Sequence, residues 1–203
     1  MARAPEDVFT PEMEEDVAAK SVLILTADGV EDLEFFYPYY RFIEEGFNVD
    51  VATPRGGEFK GKNGYGLPST WKLSDVNAVD YDLLFIPGGK APAELKKNEE
   101  ALALVRLYAQ GGNPVAAICH GPQVLAAAGL VRDRSVSGWP EIQDELEAAG
   151  ARYVNEKTVV DGRFITARWP ADLPAFSKRM LAVLENAVPE ARADSAHTHH
   201  LTV

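Results

Sequence analysis

The stretch Pro114-Val115-Ala116-Ala117-Ile118-Cys119-His120-Gly121-Pro122-Gln123-Val124-Leu125-Ala126-Ala127-Ala128 decides how this chain folds. Its first five residues are apolar, with β-branched Val115 and Ile118, and read as a short buried strand. Residues 122–128 read as a helix, with Pro122 in the first turn and Gly129 as the stop. Only Cys119-His120-Gly121 joins the two. Strand, one-residue corner and helix is the layout of a nucleophile elbow. The corner lifts the side chain out of the sheet. The helix aims unpaired N–H groups and a partial positive charge at it. Both favour thiolate over thiol, and the thiolate is the reactive form. The plainer reading of a lone cysteine at a strand end is a small buried hydrophobe. Its neighbours have to decide between the two.

Outward from this unit, strands and helices alternate. Residues 21–26, 48–53 and 81–87 read as strands. Residues 33–45 read as a helix stopped by Gly46, and 92–110 carry helical patterns up to Gly111-Gly112. Residues 139–149 read as a helix ended by Gly150. Residues 157–160 and 164–167 flank Asp161-Gly162, a type I′ hairpin signal. Residues 172–187 close with a helix. The alternation predicts an α/β sandwich of three layers, a mostly parallel sheet with helices on both faces. Ligands of such sheets sit outside the carboxyl ends of the strands. The expected organisation is an acidic N-terminal extension over residues 1–20, one domain over 21–187 and a tail over 188–203. The tail carries His197, His199 and His200, which without ligands from elsewhere make no specific metal site.

With 203 residues the chain can bury a sizeable core. Its net charge of -11 argues against a nucleic-acid partner, which needs a cationic footprint. One cysteine excludes an intrachain disulfide and any cysteine-rich zinc or iron–sulfur site. Neither a cofactor nor a metal is expected. The start lacks the apolar core of a signal peptide, and no apolar run approaches membrane-spanning length. The expected compartment is the reducing cytoplasm, with no membrane partner.

Three strand ends should meet beside Cys119: Ala27-Asp28-Gly29-Val30-Glu31-Asp32, Pro87-Gly88-Gly89, and the elbow itself. Glu31, Asp32 and Glu34 are first-turn acids that favour a helix dipole. One of them, partly desolvated beside sulfur, would have a raised pKa and could stay protonated as a donor to it. The residues alone do not choose among the three. Gly88 and Gly89 read as a turn, yet their N–H groups, with that of His120, could form an oxyanion hole. His120 is the only histidine outside the tail. It is the candidate if the fold supplies an imidazole base; adjacent residues at a corner usually point apart, which leaves open whether it touches Cys119 in its own chain, orients the site or faces another subunit.

Four motifs, in order, are similar to those of the PfpI-type intracellular cysteine peptidases in the PfpI/ThiJ superfamily, which includes the parkinsonism-associated protein deglycase. They are Thr26-Ala27 with Glu31-Asp32 before Tyr37-Pro38; Pro87-Gly88-Gly89-Lys90-Ala91-Pro92; Ala117-Ile118-Cys119-His120-Gly121-Pro122-Gln123; and Val160-Asp161-Gly162 before Pro170-Ala171-Asp172-Leu173-Pro174. The resemblance implies a flavodoxin-like sandwich forming homodimers or higher oligomers. It implies Cys119 as nucleophile, His120 as its partner and Glu31 as the carboxyl at sulfur. Gly89 and His120 supply oxyanion amides, with Gly88, Gly121 and Trp139 counted among the binding residues. Two positions depart from the peptidases. Ala93 stands where they carry a glutamate used by a neighbouring subunit's site, and Trp139 replaces a tyrosine. Cys119-x-Gly121-x-Gln123 also resembles the elbow of class I glutamine amidotransferases, but no downstream histidine precedes the tail to complete such a site.

The expected function is that of a stress-response protein whose cysteine acts on small reactive carbonyls or glycated adducts, free or on protein. A glyoxalase or deglycase activity is the first reading. A cysteine peptidase, weakened by Ala93, is the second. A non-enzymatic redox sensor or chaperone switch, with Cys119 oxidised to a sulfenic or sulfinic acid, is the third.

Overall fold

The computed structural model describes residues 19–69 and 71–186. The expected extension, apart from Ala19 and Lys20, lies outside them, as do the C-terminal tail and its three histidines. The elements are β1 (Ser21–Leu25), α1 (Asp32–Glu44), β2 (Asn48–Thr53), β3 (Gly57–Lys60), β4 (Gly66–Ser69), β5 (Trp71–Lys72), β6 (Leu83–Ile86), α2 (Ala91–Leu95), α3 (Glu99–Gln110), β7 (Val115–Ile118), α4 (Pro122–Ala127), β8 (Ser135–Val136), α5 (Gln143–Ala148), β9 (Arg152–Tyr153), β10 (Val159–Asp161), β11 (Phe164–Ala167) and α6 (Leu173–Asn186).

The main sheet runs β10-β11-β7-β6-β1-β2-β5. Every pairing in it is parallel except β10 with β11. The central strands β1, β6 and β7 are apolar and buried along almost their whole length, as strands covered on both faces must be. Phe85 of β6 meets Phe42 of α1 and Phe176 of α6, so these helices share one face. Leu84 and Ile86 point the other way and are equally buried, so the opposite face is covered too. The α/β sandwich expected from the alternation is the fold observed.

Three expectations change in detail. The helical stretch 92–110 is two helices, because Lys96, Lys97 and Asn98 form a turn and Asn98 accepts a cap bond from the Ala101 amide. Residues 139–149 begin with a 3-10 turn at Pro140–Ile142 before α5. The last hairpin turns at Gly162-Arg163, since Asp161 pairs with Phe164 inside the ladder. Positive φ falls on Gly162 alone, the pattern of a type II′ turn and not I′. The β3–β4 hairpin and the β8–β9 pair were not legible, being strands of two to four residues with little buried apolar surface.

Candidate active site

The parallel order β7-β6-β1 brings three carboxyl ends to one edge, and Cys119 stands at its centre. Its φ is 59°, a left-handed conformation that residues other than glycine rarely adopt. Backbone bonds hold it there. The Cys119 amide donates to the Ala167 carbonyl at 3.1 Å, and its carbonyl accepts from the Trp139 amide at 2.9 Å. The corner has no spare room. A Cβ at Gly121 would lie 2.4 Å from the Ile86 carbonyl oxygen, and one at Gly88 would lie 3.0 Å from Cys119 Sγ.

The first turn of α1 sends its three acids to three partners. Glu31 precedes the helix with extended backbone, and its Oε2 accepts from Lys62 Nζ at 2.9 Å. Asp32 is buried and accepts from the amide and side chain of Asn63 at 3.0 and 2.8 Å. Glu34 has no exposed surface; its Oε2 accepts from the Gly88 amide at 2.9 Å, and its carboxyl lies beside Cys119 against Gly88. The carboxyl at sulfur is therefore Glu34, and the assignment to Glu31 is corrected. Glu34 lies two steps past Asp32, about 200° round the helix, on the face that turns inward. Glu31 instead ties down the loop after β3, which Val30 also anchors by bridging Gly61 and Gly89.

His120 lies beside the sulfur of its own chain. Its Nδ1 lies 3.2 Å from Cys119 Sγ within the same chain, because the left-handed corner brings the two side chains to one side. The His120 ring stacks on Trp139 at 6.2 Å between centroids, and Trp139 meets Trp169 edge-on at 6.0 Å. Sequence reasoning missed Trp169. It directly follows Arg168 after β11, at the same sheet edge, and that position was the available signal. Arg168 lies 4.3 Å over its ring and binds both carboxylate oxygens of Asp172 at 2.8 and 3.1 Å.

The expected oxyanion donors also sort themselves. The Gly88 amide is taken by Glu34, and the Gly121 amide donates to the Ile118 carbonyl at 2.8 Å. Neither is available to a ligand; both glycines are needed for space. The amides of Gly89 and His120 are directed at the sulfur. Ala93 is exposed on α2, and neighbouring Glu94 does not stand in for the missing glutamate, its Oε1 lying 3.7 Å from Arg55 Nη2.

Burial dominates the electrostatics. It pushes Glu34 up from 4.5 to about 7, against the Gly88 and Cys119 hydrogen bonds that pull it down. Burial also pushes the Cys119 thiol up to about 12, with the Glu34 charge adding and the Gly89 and His120 amides opposing. Lost hydration thus works against the lowering expected from the elbow, and α4 is short. Between about pH 7 and about 12 the pair Cys119–Glu34 holds one proton. With that proton on the carboxyl, the sulfur is a thiolate facing three donors: Glu34 and two amides. Burial lowers His120, keeping the imidazole neutral near pH 7. Among the described residues no group of three or more His, Cys, Asp or Glu could hold a metal ion. No helix among them is long and apolar enough to cross a membrane.

Residues 20–183 match the DJ-1/PfpI family. The chain is 41% identical over 164 residues to the deglycase PH1704 of Pyrococcus horikoshii, covering 81% of this chain and 99% of that protein. It is 34% identical over 168 residues to the putative cysteine protease YraA of Bacillus subtilis, covering 82% and 99% respectively. Among solved structures, it resembles a two-domain protein of Anabaena variabilis with DJ-1/ThiJ/PfpI-like and ferritin-like domains, at 36% identity and a TM-score of 0.80. That match covers 87% of this chain and 52% of the two-domain protein.

Proposed function

The chain belongs to the DJ-1/PfpI family, and on that premise we propose that Cys119 is the nucleophile of a deglycase-type enzyme acting on small reactive carbonyls or their adducts with protein groups. The observation that carries this reading is the contact set around one sulfur: Glu34, the His120 ring 3.2 Å away, and the amides of Gly89 and His120. The attacking form has the shared proton on Glu34. Sulfur adds to the carbonyl carbon, and the C=O electron pair moves onto oxygen. The two amides, released as the sulfur charge is spent in the new bond, take up the oxyanion. Neutral His120 accepts and returns protons beside it. Trp139 and Trp169 wall the site next to His120 and exclude water.

The peptidase reading is weaker for this chain. Ala93 offers no carboxylate to a neighbouring copy, and Glu94 is turned to Arg55. The oligomer expected from the resemblance has a candidate face on α1, where Leu33, Tyr37 and Tyr40 are exposed beside Tyr65. A cytoplasmic location remains part of this reading, because a lone reactive thiol persists in a reducing compartment.

The test compares wild type with Cys119→Ala on methylglyoxal, a methylglyoxal-modified peptide and casein. Adduct removal should fall at least about a hundredfold in the variant. Equal removal by both proteins would discard the nucleophile. Efficient casein cleavage that needs Cys119, without adduct removal, would establish the peptidase instead.

A further inference from the structure

At the far end of β7 and β11, a concavity of about 250 Å³ opens, lined by Arg132, Arg134 and Arg163 together with Ala109, Gly129 and Phe164. The four residues of β7 separate it from Cys119, about 13 Å along the strand. Arg134 Nη1 lies 3.4 Å from Asp161 Oδ1, and its guanidinium sits 4.6 Å over the Phe164 ring. Arg163 donates to the Ala109 carbonyl at the last turn of α3. Arg132 is exposed and makes no hydrogen bond or ion pair among the described residues.

Asp161 is the only carboxylate paired with any of the three among the described residues, so two positive charges are left unmatched in one cavity. The carboxyl end of α3 supplies about half a unit of negative charge. Like charges gathered in this way repel one another. It is also unusual in a chain of net charge -11. Each guanidinium has five N–H donors in a planar fork, and Arg134 and Arg163 each commit only part of theirs.

We propose that this cavity binds a small phosphate-bearing anion. The three arginines come from two separate segments: the connection after α4, which runs into β8, and the β10–β11 turn. A tetrahedral phosphate offers oxygens to forks arriving from different directions, whereas a single carboxylate has only two. The volume accommodates more than one phosphate group. A polyanion such as nucleic acid is disfavoured by the chain's net charge of -11.

The test is calorimetric titration of the full chain at low ionic strength with inorganic phosphate, pyrophosphate and ATP. Pyrophosphate should bind saturably at one site, weaken as salt rises, and bind about tenfold more weakly to Arg132→Ser. Among the described residues Arg132 has no hydrogen-bonding or ionic partner, so that variant should melt like wild type. Arg163→Lys, which keeps the charge and loses the fork, should also weaken binding. ATP binding as tightly as pyrophosphate assigns the site to a nucleotide's phosphates; binding by phosphate and pyrophosphate alone assigns it to the free anion. Absence of saturable pyrophosphate binding at millimolar concentration, or unchanged affinity in Arg132→Ser, would overturn the proposal. Neither outcome bears on Cys119.

Discussion

Glu34 is a carboxyl with no exposed surface, held between the Gly88 amide and Cys119. Its pKa of about 7 in the fold against 4.5 ordinarily means the folded state holds a proton that the unfolded state has lost over that interval. Stability is therefore greatest below pH 4.5 as far as Glu34 is concerned, and falls as pH rises through about 7, by at most about 3 kcal/mol. His120 runs the opposite way, since its lowered pKa contributes stability that is lost as pH falls below 6.5. Denaturant midpoints of wild type and Glu34→Gln across pH 4.5 to 7 separate the two, and the difference between the proteins should carry the slope. A parallel pair of curves would mean Glu34 does not titrate there. The corner cysteine and the histidine beside it were legible in the sequence as candidates, from the elbow and the lone thiol. Which acid reaches the sulfur was not, because Glu31 and Glu34 differ only in where the first turn of α1 begins.

The elements around the corner tolerate little change. A methyl at Gly121 would press on two backbone carbonyls, those of Ile86 and Ile118, at 2.4 and 2.9 Å. Neither can rotate away, so Gly121→Ala should cost at least about 2 kcal/mol in urea unfolding and abolish alkylation of native Cys119. A variant as stable as wild type would show that the corner is looser than drawn. The loop after β3 depends on buried Asp32, whose Oδ2 takes two bonds from Asn63. Asp32→Ala should speed amide exchange at Lys62 and Asn63 while β1 and β6 stay protected; unchanged exchange would mean that Val30 and Glu31 hold the loop without Asp32. This loop was invisible in the sequence for a physical reason. Its hairpin buries few apolar side chains, chiefly Phe59 and Leu67, and gains its order from long-range bonds to Gly29, Val30 and Asp32. Strands β1, β6 and β7 were readable because burial on both faces forces a run of apolar residues.

At the scale of the whole molecule, the parallel sheet explains why one edge collects the chemistry: Cys119, Glu34 and His120 come from two different strand ends, joined only by the order β7-β6-β1. The outer face of α1 leaves Leu33, Tyr37 and Tyr40 at 59%, 39% and 61% exposure, next to Tyr65 at 63%. An aromatic surface of this kind, on a helix whose first turn feeds the active site, is where a second copy should dock. Sedimentation should find a dimer or larger species in wild type and a monomer in Tyr40→Glu, while a monomeric wild type would remove the oligomer from the reading. Composition and charge pointed to a globular acidic protein but said nothing of this face, because surface aromatics are recognisable only once the helix has been oriented.

The measurement that bears most directly on the Cys119–Glu34 pair is the rate of iodoacetamide alkylation of the native protein against pH. In wild type, reactivity should rise as the first proton leaves the pair, with a midpoint at or below about pH 7. Glu31→Gln should keep that transition, since Glu31 serves Lys62. Glu34→Gln should lose it and show only the later ionisation of the thiol. A wild-type profile that persists unchanged in Glu34→Gln, or a transition that disappears in Glu31→Gln, would contradict the assignment of the shared proton to Cys119 and Glu34.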